Sequence, residues 1–310
     1  MTALGIDIGG TRIKAGLVDE SGTILERHSE PTPAALEEFR EVLGGLVARL
    51  SPAGPAGIGI GCKGVIDPGT TRIETLPGEL RYLEGHRLSE LIAFDGPVHA
   101  DNDARVAMAG EMLWGAARGR RNALMLTLGT GVGGAVVAEG KLLRGAGGVA
   151  GHVGHLTVVP DGPPCICGNH GCLETYFSAR AIEAEAWRIV HAGCDSLLTR
   201  RFGSGQEEIA CEAVFAAAVA GDAIAGEILD RAIHALGAAI AGLVLVLDPE
   251  VIIVGGRISE AGAALFDPLE REIARRTGGL LRRRVPLVPP QMAGRTGVAG
   301  AAALVLSEAR

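Results

Sequence analysis

Aromatic residues are scarce in this chain: six Phe, two Trp and two Tyr make up 3% of 310 residues. A platform that stacks successive bases of single-stranded nucleic acid needs more of them. Basic charge is also in deficit, with 29 Lys plus Arg against 36 Asp plus Glu and a net charge of -7. Such a chain lacks the broad positive field that holds phosphate backbones. Its main basic cluster, Arg282-Arg283-Arg284 with Arg275 and Arg276 upstream, is short and reads as solvated surface. Nucleic acid is therefore not an expected partner. The segment Met1–Ile8 has no basic region and carries Asp7 inside its apolar stretch, unlike a targeting signal. The longest apolar run, Ala235–Leu247, is too short to cross a bilayer and predicts a buried helix. No low-complexity linker interrupts the chain. These absences predict a soluble, cytoplasmic protein with no membrane partner.

What is present is globular in character. Apolar residues make up 47% and charged residues 21%, near the average for packed domains. The length suggests two domains. Forty-seven glycines without a collagen period predict tight turns and close backbone approaches. Six cysteines suit a reducing compartment as thiols or metal ligands; Cys62, Cys194 and Cys211 read as buried thiols.

Apolar runs predict strands at Ala3–Ile8 and Ile13–Val18, and Thr23–Glu26 could start a third. Thr32-Pro33 resembles a helix start, with Thr as N-cap and Pro at the first helical position. Helical spacing then runs through Leu36, Phe39, Val42, Leu43, Leu46, Val47 and Leu50. Further strands are predicted at Ile58–Gly61 and Val98–Ala100, the latter followed by a helix from about Ala104 to Trp114. Ala123–Leu128 opens a second half with the same succession: strand, glycine turn, strand, acidic turn. A duplicated pair of domains would produce that repeat. Helices are predicted at Ala179–His191, Ala223–Leu247, Glu260–Arg275 and Gly297–Leu306, with a strand at Val251–Val254. The expected division is an N-terminal domain over 1–115 and a larger domain over 116–293. The terminal helix, 294–310, would pack back on the first.

Three groups of residues carry chemistry. Asp7-Ile8-Gly9-Gly10-Thr11 puts a carboxylate at a strand end beside two glycines and a hydroxyl, with Arg12 and Lys14 adding cations. Glycines let N–H groups approach phosphate, and an Asp can hold Mg²⁺ through water. An ordinary hairpin turn would have the same composition. Gly129-Thr130-Gly131-Val132-Gly133-Gly134 formally contains a dinucleotide-binding fingerprint, but a strand-like run follows where that fold needs a helix. A phosphate loop inside a hairpin remains. Two such loops, one per half, suit a triphosphate. Gly255-Gly256, after a strand, is a third close-approach site for a nucleoside or a structural turn.

Cys165, Cys167 and Cys172 form C-x-C-x4-C, with His155 ten residues upstream. Three thiolates and one imidazole complete a tetrahedral structural Zn²⁺ site. His170 competes for the fourth place but lies inside the short Cys167–Cys172 loop. Asn102-Asp103 sits between a strand end and a helix start. A carboxylate there can cap the helix or take a proton from a substrate hydroxyl while Asn102 orients that substrate.

Taken together, these motifs resemble the ROK group of sugar kinases and sugar-responsive repressors. The resemblance rests on the Asp7–Thr11 and Leu128–Gly134 loops, Asn102-Asp103, Ala150-Gly151-His152-Val153-Gly154-His155, the cysteine cluster ending Gly171-Cys172-Leu173-Glu174, and Val254-Gly255-Gly256. They span residues 7 to 256. The resemblance implies an actin-like, ribonuclease H-type α/β fold of two domains with ATP in a central cleft. It implies Asp103 as catalytic base. It places sugar contacts on Gly64, Asn102, Asp103, His152, His155 and Glu174, and Thr75 joins them by alignment. It gives His155, Cys165, Cys167 and Cys172 as zinc ligands. Asp7, Gly9, Gly10, Thr11, Arg12, Lys14, Gly129, Thr130, Gly131, Gly255 and Gly256 would serve ATP and Mg²⁺. Homodimers or homotetramers are common in the group.

The implied reaction moves the γ-phosphoryl group of ATP to the 6-hydroxyl of a hexose or N-acetylhexosamine. Repressors of the group carry a helix-turn-helix domain ahead of the first glycine motif, which begins here at Asp7. A catalytically silent sugar-binding regulator is the alternative, against which the retained Asp103 and both loops stand. Glucose-specific members usually have Glu where this chain has His152. The common Pro-Gly is Lys63-Gly64 here, and a frequent Asn is Thr75. These departures leave glucose and N-acetylmannosamine as competing acceptors.

Overall fold

A computed structural model describes residues 1–205 and 207–308. In chain order the elements are β1 (Thr2–Ile8), β2 (Arg12–Asp19), β3 (Ile24–Pro31), α1 (Leu36–Leu50), β4 (Ile58–Cys62), β5 (Val65–Asp67), β6 (Arg72–Thr75), β7 (Val98–Asn102) and α2 (Asp103–Trp114). There follow β8 (Ala123–Leu128), β9 (Val132–Ala138), β10 (Lys141–Leu142), α3 (Ala179–His191), α4 (Leu197–Phe202), α5 (Cys211–Val219) and α6 (Ala223–Leu247). The chain closes with β11 (Val251–Gly255), α7 (Ala263–Thr277), β12 (Leu287–Val288) and α8 (Thr296–Leu306).

Two five-stranded sheets repeat one plan. The first runs β3-β2-β1-β4-β7 and the second β10-β9-β8-β11-β12. In each, the third, second and first strands lie side by side, and the fourth and fifth then extend from the first. The duplicated order agrees with the repeat seen in the sequence.

The chain divides into two compact units. One comprises Met1–Ala123, Ala135–Gly151 and the chain from Pro290 onward; the other comprises Leu124–Gly134 and His152–Pro289. In the first unit, alternation along β1 sends Leu4, Ile6 and Ile8 to one face of the sheet, where they join Ile58 and Ile60 of β4. Helix α1 covers that face with Phe39, Leu43, Leu46, Val47 and Leu50, all buried. Each such side chain contributes about 1.5–3 kcal/mol by leaving water. The opposite face is covered by α8 through Val298, Ala299, Ala302 and Val305. There the strands present glycine. Gly5 of β1 pairs with Gly59 of β4, and a methyl group on either would strike the α8 backbone, at the carbonyl of Val298 or of Ala301. Helix and sheet meet backbone to backbone.

The local predictions are met for α3 and α6 at both ends. The first helix differs. It starts at Leu36 with Ala35 as N-cap, because Thr32 has other partners. Its hydroxyl donates to the Gly9 carbonyl at 2.8 Å, and its N–H to that of Thr11. β3 reaches Pro31 because β2 pairs with it along its length. The β5–β6 hairpin has no counterpart among the predicted strands. Its turn is closed by Asp67, whose carboxylate accepts from the Gly69 N–H and the Thr70 hydroxyl. Helix α6 has the length and composition to cross a membrane, yet 56% of its most apolar window is buried within the chain. It is a core helix for most of its course. The expectation of burial fails toward the C-terminal end, where Gly242, Leu245 and Val246 are exposed.

Candidate active site

In the first unit β1, β4 and β7 run parallel, and Ile8, Cys62 and Asn102 lie abreast. The segments that leave these strands therefore share one edge, where ligands bind in open α/β sheets. They carry Asp7 with Gly9-Gly10, Lys63-Gly64, and Asn102-Asp103.

Asn102 is the N-cap of α2. Its Oδ1 accepts the Ala104 N–H at 3.0 Å, and its Nδ2 donates to the Gly64 carbonyl at 3.0 Å. Asp103, the first helical residue, also accepts the Ala104 N–H, at 2.9 Å, and remains exposed. The cap is thus made by Asn102 whatever Asp103 does. Gly64 has φ +92, and a Cβ there would strike the Thr75 carbonyl. Gly64, Thr75 and Asn102 are thereby brought together within the unit.

Asp7 is half-buried with Lys14 Nζ at 3.7 Å. Burial raises its pKa, opposed by Lys14 and reinforced by the negative charge of Asp103. A carboxyl group raised in this way supports the fold most below its unfolded pKa. That support is lost as pH rises through the folded value. Ionised Asp7 is thus a cost to the fold at neutral pH and well suited to a cation. Gly297, in the first turn of α8, leaves room for its carboxylate. Arg12 is turned toward β3, where its guanidinium donates to the Ser29 hydroxyl and carbonyl, both at 2.8 Å. Gly9 closes the loop through its N–H to the Arg12 carbonyl at 3.1 Å.

In the second unit, Gly129 donates its N–H to the Gly131 carbonyl at 3.0 Å and accepts from the Ala179 N–H at 2.8 Å. The Glu174 carboxylate accepts the Val132 N–H at 3.1 Å and fills the space that a side chain at Gly131 would take. Gly256, at φ +87, lies where any Cβ would strike the backbone of Leu128. Gly154 packs as closely on the Val132 carbonyl, and the rings of His152 and His155 are stacked 6.5 Å apart. The second glycine loop, Glu174, Gly255-Gly256 and both histidines therefore form one neighbourhood.

His155, Cys165, Cys167 and Cys172 have their ligand atoms within 4.8 Å of one another. Cys167 and Cys172 are 3.7 Å apart at sulfur, and Cys165 Sγ is 3.5 Å from His155 Nδ1. A tetrahedron with Zn–S bonds of about 2.3 Å has S···S edges of about 3.8 Å. The donor set and spacing fit zinc. The fourth place goes to His155; His170 is outside the group. Burial, then the neighbouring thiols, push Cys172 up to about 12, whereas at Cys167 burial is outweighed by hydrogen bonds from the Asn169 backbone and the neighbouring thiols, which lower it. Cys62 is fully buried and burial raises it strongly; Cys211 is raised to about 12 by the same cause. Both are inert thiols.

Two charged residues gave no signal in the sequence beyond their identity. Arg105 and Asp101 are wholly buried and paired to each other. Arg105 sits among apolar helix positions, and nothing in its neighbours marks it.

The model of the ROK family matches residues 3–308. A glucokinase of Thermotoga maritima is 36% identical over 277 residues, 87% of this chain and 86% of its own. An N-acetylmannosamine kinase of Escherichia coli O157:H7 is 35% identical over 274 residues, 84% of each chain. The crystal structure of a ROK family glucokinase from Streptomyces griseus, in complex with glucose and AMPPNP, superposes with a TM-score of 0.83 at 35% identity. It covers 98% of this chain and 99% of its own.

Proposed function

We propose, from the premise that this chain belongs to the ROK family, that it is an ATP-dependent sugar kinase acting on the 6-hydroxyl of a hexose or N-acetylhexosamine. The observation that carries this reading is the division of labour at the start of α2. Asn102 caps the helix and Asp103 is exposed beside it. One oxygen of Asp103 shares the Ala104 N–H with Asn102, and an exposed carboxylate there can accept a proton from the acceptor hydroxyl as that oxygen attacks phosphorus. The N-terminus of a helix favours negative charge at that position. Gly64, Thr75 and Asn102 are the candidate sugar contacts of the first unit, and His152, His155 and Glu174 are those of the second. Backbone N–H groups of Gly9-Gly10-Thr11 and Gly129-Thr130-Gly131 would orient the phosphates, with Gly255-Gly256 at the nucleoside. Lys14 would add positive charge; Arg12, tied to Ser29, would shape the loop. Bound Mg²⁺ would supply charge neutralisation at the phosphates, and Asp7 would hold it. This reading also places the enzyme in the cytoplasm as a homo-oligomer.

Release of ADP from ATP and Mg²⁺ is to be measured with glucose, mannose, N-acetylglucosamine and N-acetylmannosamine. Turnover on at least one is expected. Binding of a sugar without turnover on any would favour the silent regulator instead.

Zinc would brace the loop from His155 to Glu174 and stay out of the chemistry. Chelation is expected to lower Tm by about 10 °C, as a loss of roughly 3–4 kcal/mol would in a unit of this size. Added Zn²⁺ should restore it, and Cys165→Ser should reproduce the loss without rescue. An unchanged Tm after complete metal removal would count against a structural metal.

A further inference from the structure

The acceptor edge of the first unit rests on a buried charge network. Asp101 and Arg105 are each 0% exposed. Arg105 Nε donates to Asp101 Oδ1 at 2.5 Å, and that oxygen also accepts the Asn102 N–H at 2.8 Å. The second carboxylate oxygen accepts from Arg144 Nε at 2.8 Å. Arg105 Nη1 donates onward to the carbonyls of Gly148 and Ala150, at 2.9 and 3.1 Å.

Burying such a pair brings no assured gain in stability, since apolar residues of similar volume often do as well or better. Its geometry is more informative. Asp101 ends β7 and Arg105 lies in the first turn of α2, so their bond spans the corner at which the chain changes from strand to helix. Asn102 and Asp103 are the two residues of that corner nearest the helix start. The planar guanidinium fixes direction as well as distance. Through its second nitrogen it also sets the path of residues 148–150, which leads in sequence directly to Gly151 and His152.

We infer that Asp101, Arg105 and Arg144 form a positioning device for the transfer reaction, aiming the Asp103 carboxylate at the acceptor hydroxyl. Arg105 acts through Asp103 and touches no reactant. The inference rests on the kinase reading above.

Arg105→Lys keeps the charge and removes the planar fork. It is expected to lower kcat on the order of 10- to 100-fold, the scale on which misplacement of a reacting group is felt, with KM for ATP unchanged. Arg105→Lys combined with Asp103→Asn should be no slower than Asp103→Asn alone, because the device has nothing left to aim. Arg144→Gln, at a half-exposed position, is the milder variant should Arg105→Lys fail to fold. It should lower kcat several-fold and show the same lack of additivity. Full kcat with a lowered Tm, or additive losses in the double variant, would overturn the inference while leaving the kinase intact. No sugar-dependent ADP release by the unsubstituted enzyme would overturn both.

Discussion

Asp103→Asn is expected to lower kcat by about 10²–10⁴-fold, the usual contribution of a positioned general base. The substitution is nearly isosteric. Its amide oxygen can still accept the Ala104 N–H that Asp103 accepts now. The Asn102 cap, with its bonds to Ala104 and Gly64, is untouched, so Tm should stay close to that of the parent. KM for the sugar should change little, because an amide oxygen still accepts a hydrogen bond where the carboxylate did. Loss of rate without loss of binding or fold is the signature of a removed base. Steady-state ADP release and sugar binding by calorimetry, made on one preparation, separate these quantities. Retention of more than a tenth of kcat would mean that another group takes the proton.

Gly59→Ala is expected to be the most damaging single-methyl change in the first unit, at about 3 kcal/mol or more, the upper part of the range for overpacking. The added carbon would lie against the Ala301 carbonyl, and neither backbone can yield alone. Moving α8 outward would open its contact with β1, where Gly5 is as tightly covered, and with α2, where Gly300 packs on Val106. Gly45→Ala is the matched control. It lies on α1 with nothing within 4 Å of the added methyl, and should stabilise by roughly 0.5–1 kcal/mol through helix propensity. Urea midpoints for the two variants should move in opposite directions. Equal midpoints would show that helix and sheet are not in backbone contact.

The contrast between these two glycines shows what could be read in advance. Gly9-Gly10 and Gly129–Gly131 stood out because acidic, hydroxyl and strand signals surround them. Cys165, Cys167 and Cys172 stood out because metal ligation imposes close spacing on one short segment. Gly5 and Gly59 carry no such mark. Their role depends on a helix more than 200 residues away in sequence, and only the folded register of β1 and β4 reveals it. Arg105 escaped for a similar reason: its carboxylate is local, but Gly148 and Ala150 come from another part of the chain. Thr32 had the local signature of a cap and was diverted by Gly9 and Thr11. Local chemistry was legible where function is concentrated in a contiguous motif. It failed where a distant backbone decides.

The first unit is built from three stretches of chain, and α8 belongs to the last of them. On the ribosome, α1 emerges early enough to cover its face of the first sheet soon after the strands are made. The other face, with Gly5 and Gly59, must wait until the second unit has been translated. During that interval the sheet is half clothed, with a strip of bare backbone between β1 and β4. Completion of the enzyme is thus gated by synthesis of α8, and a chain arrested before Thr296 holds its acceptor residues on a sheet that has yet to be closed.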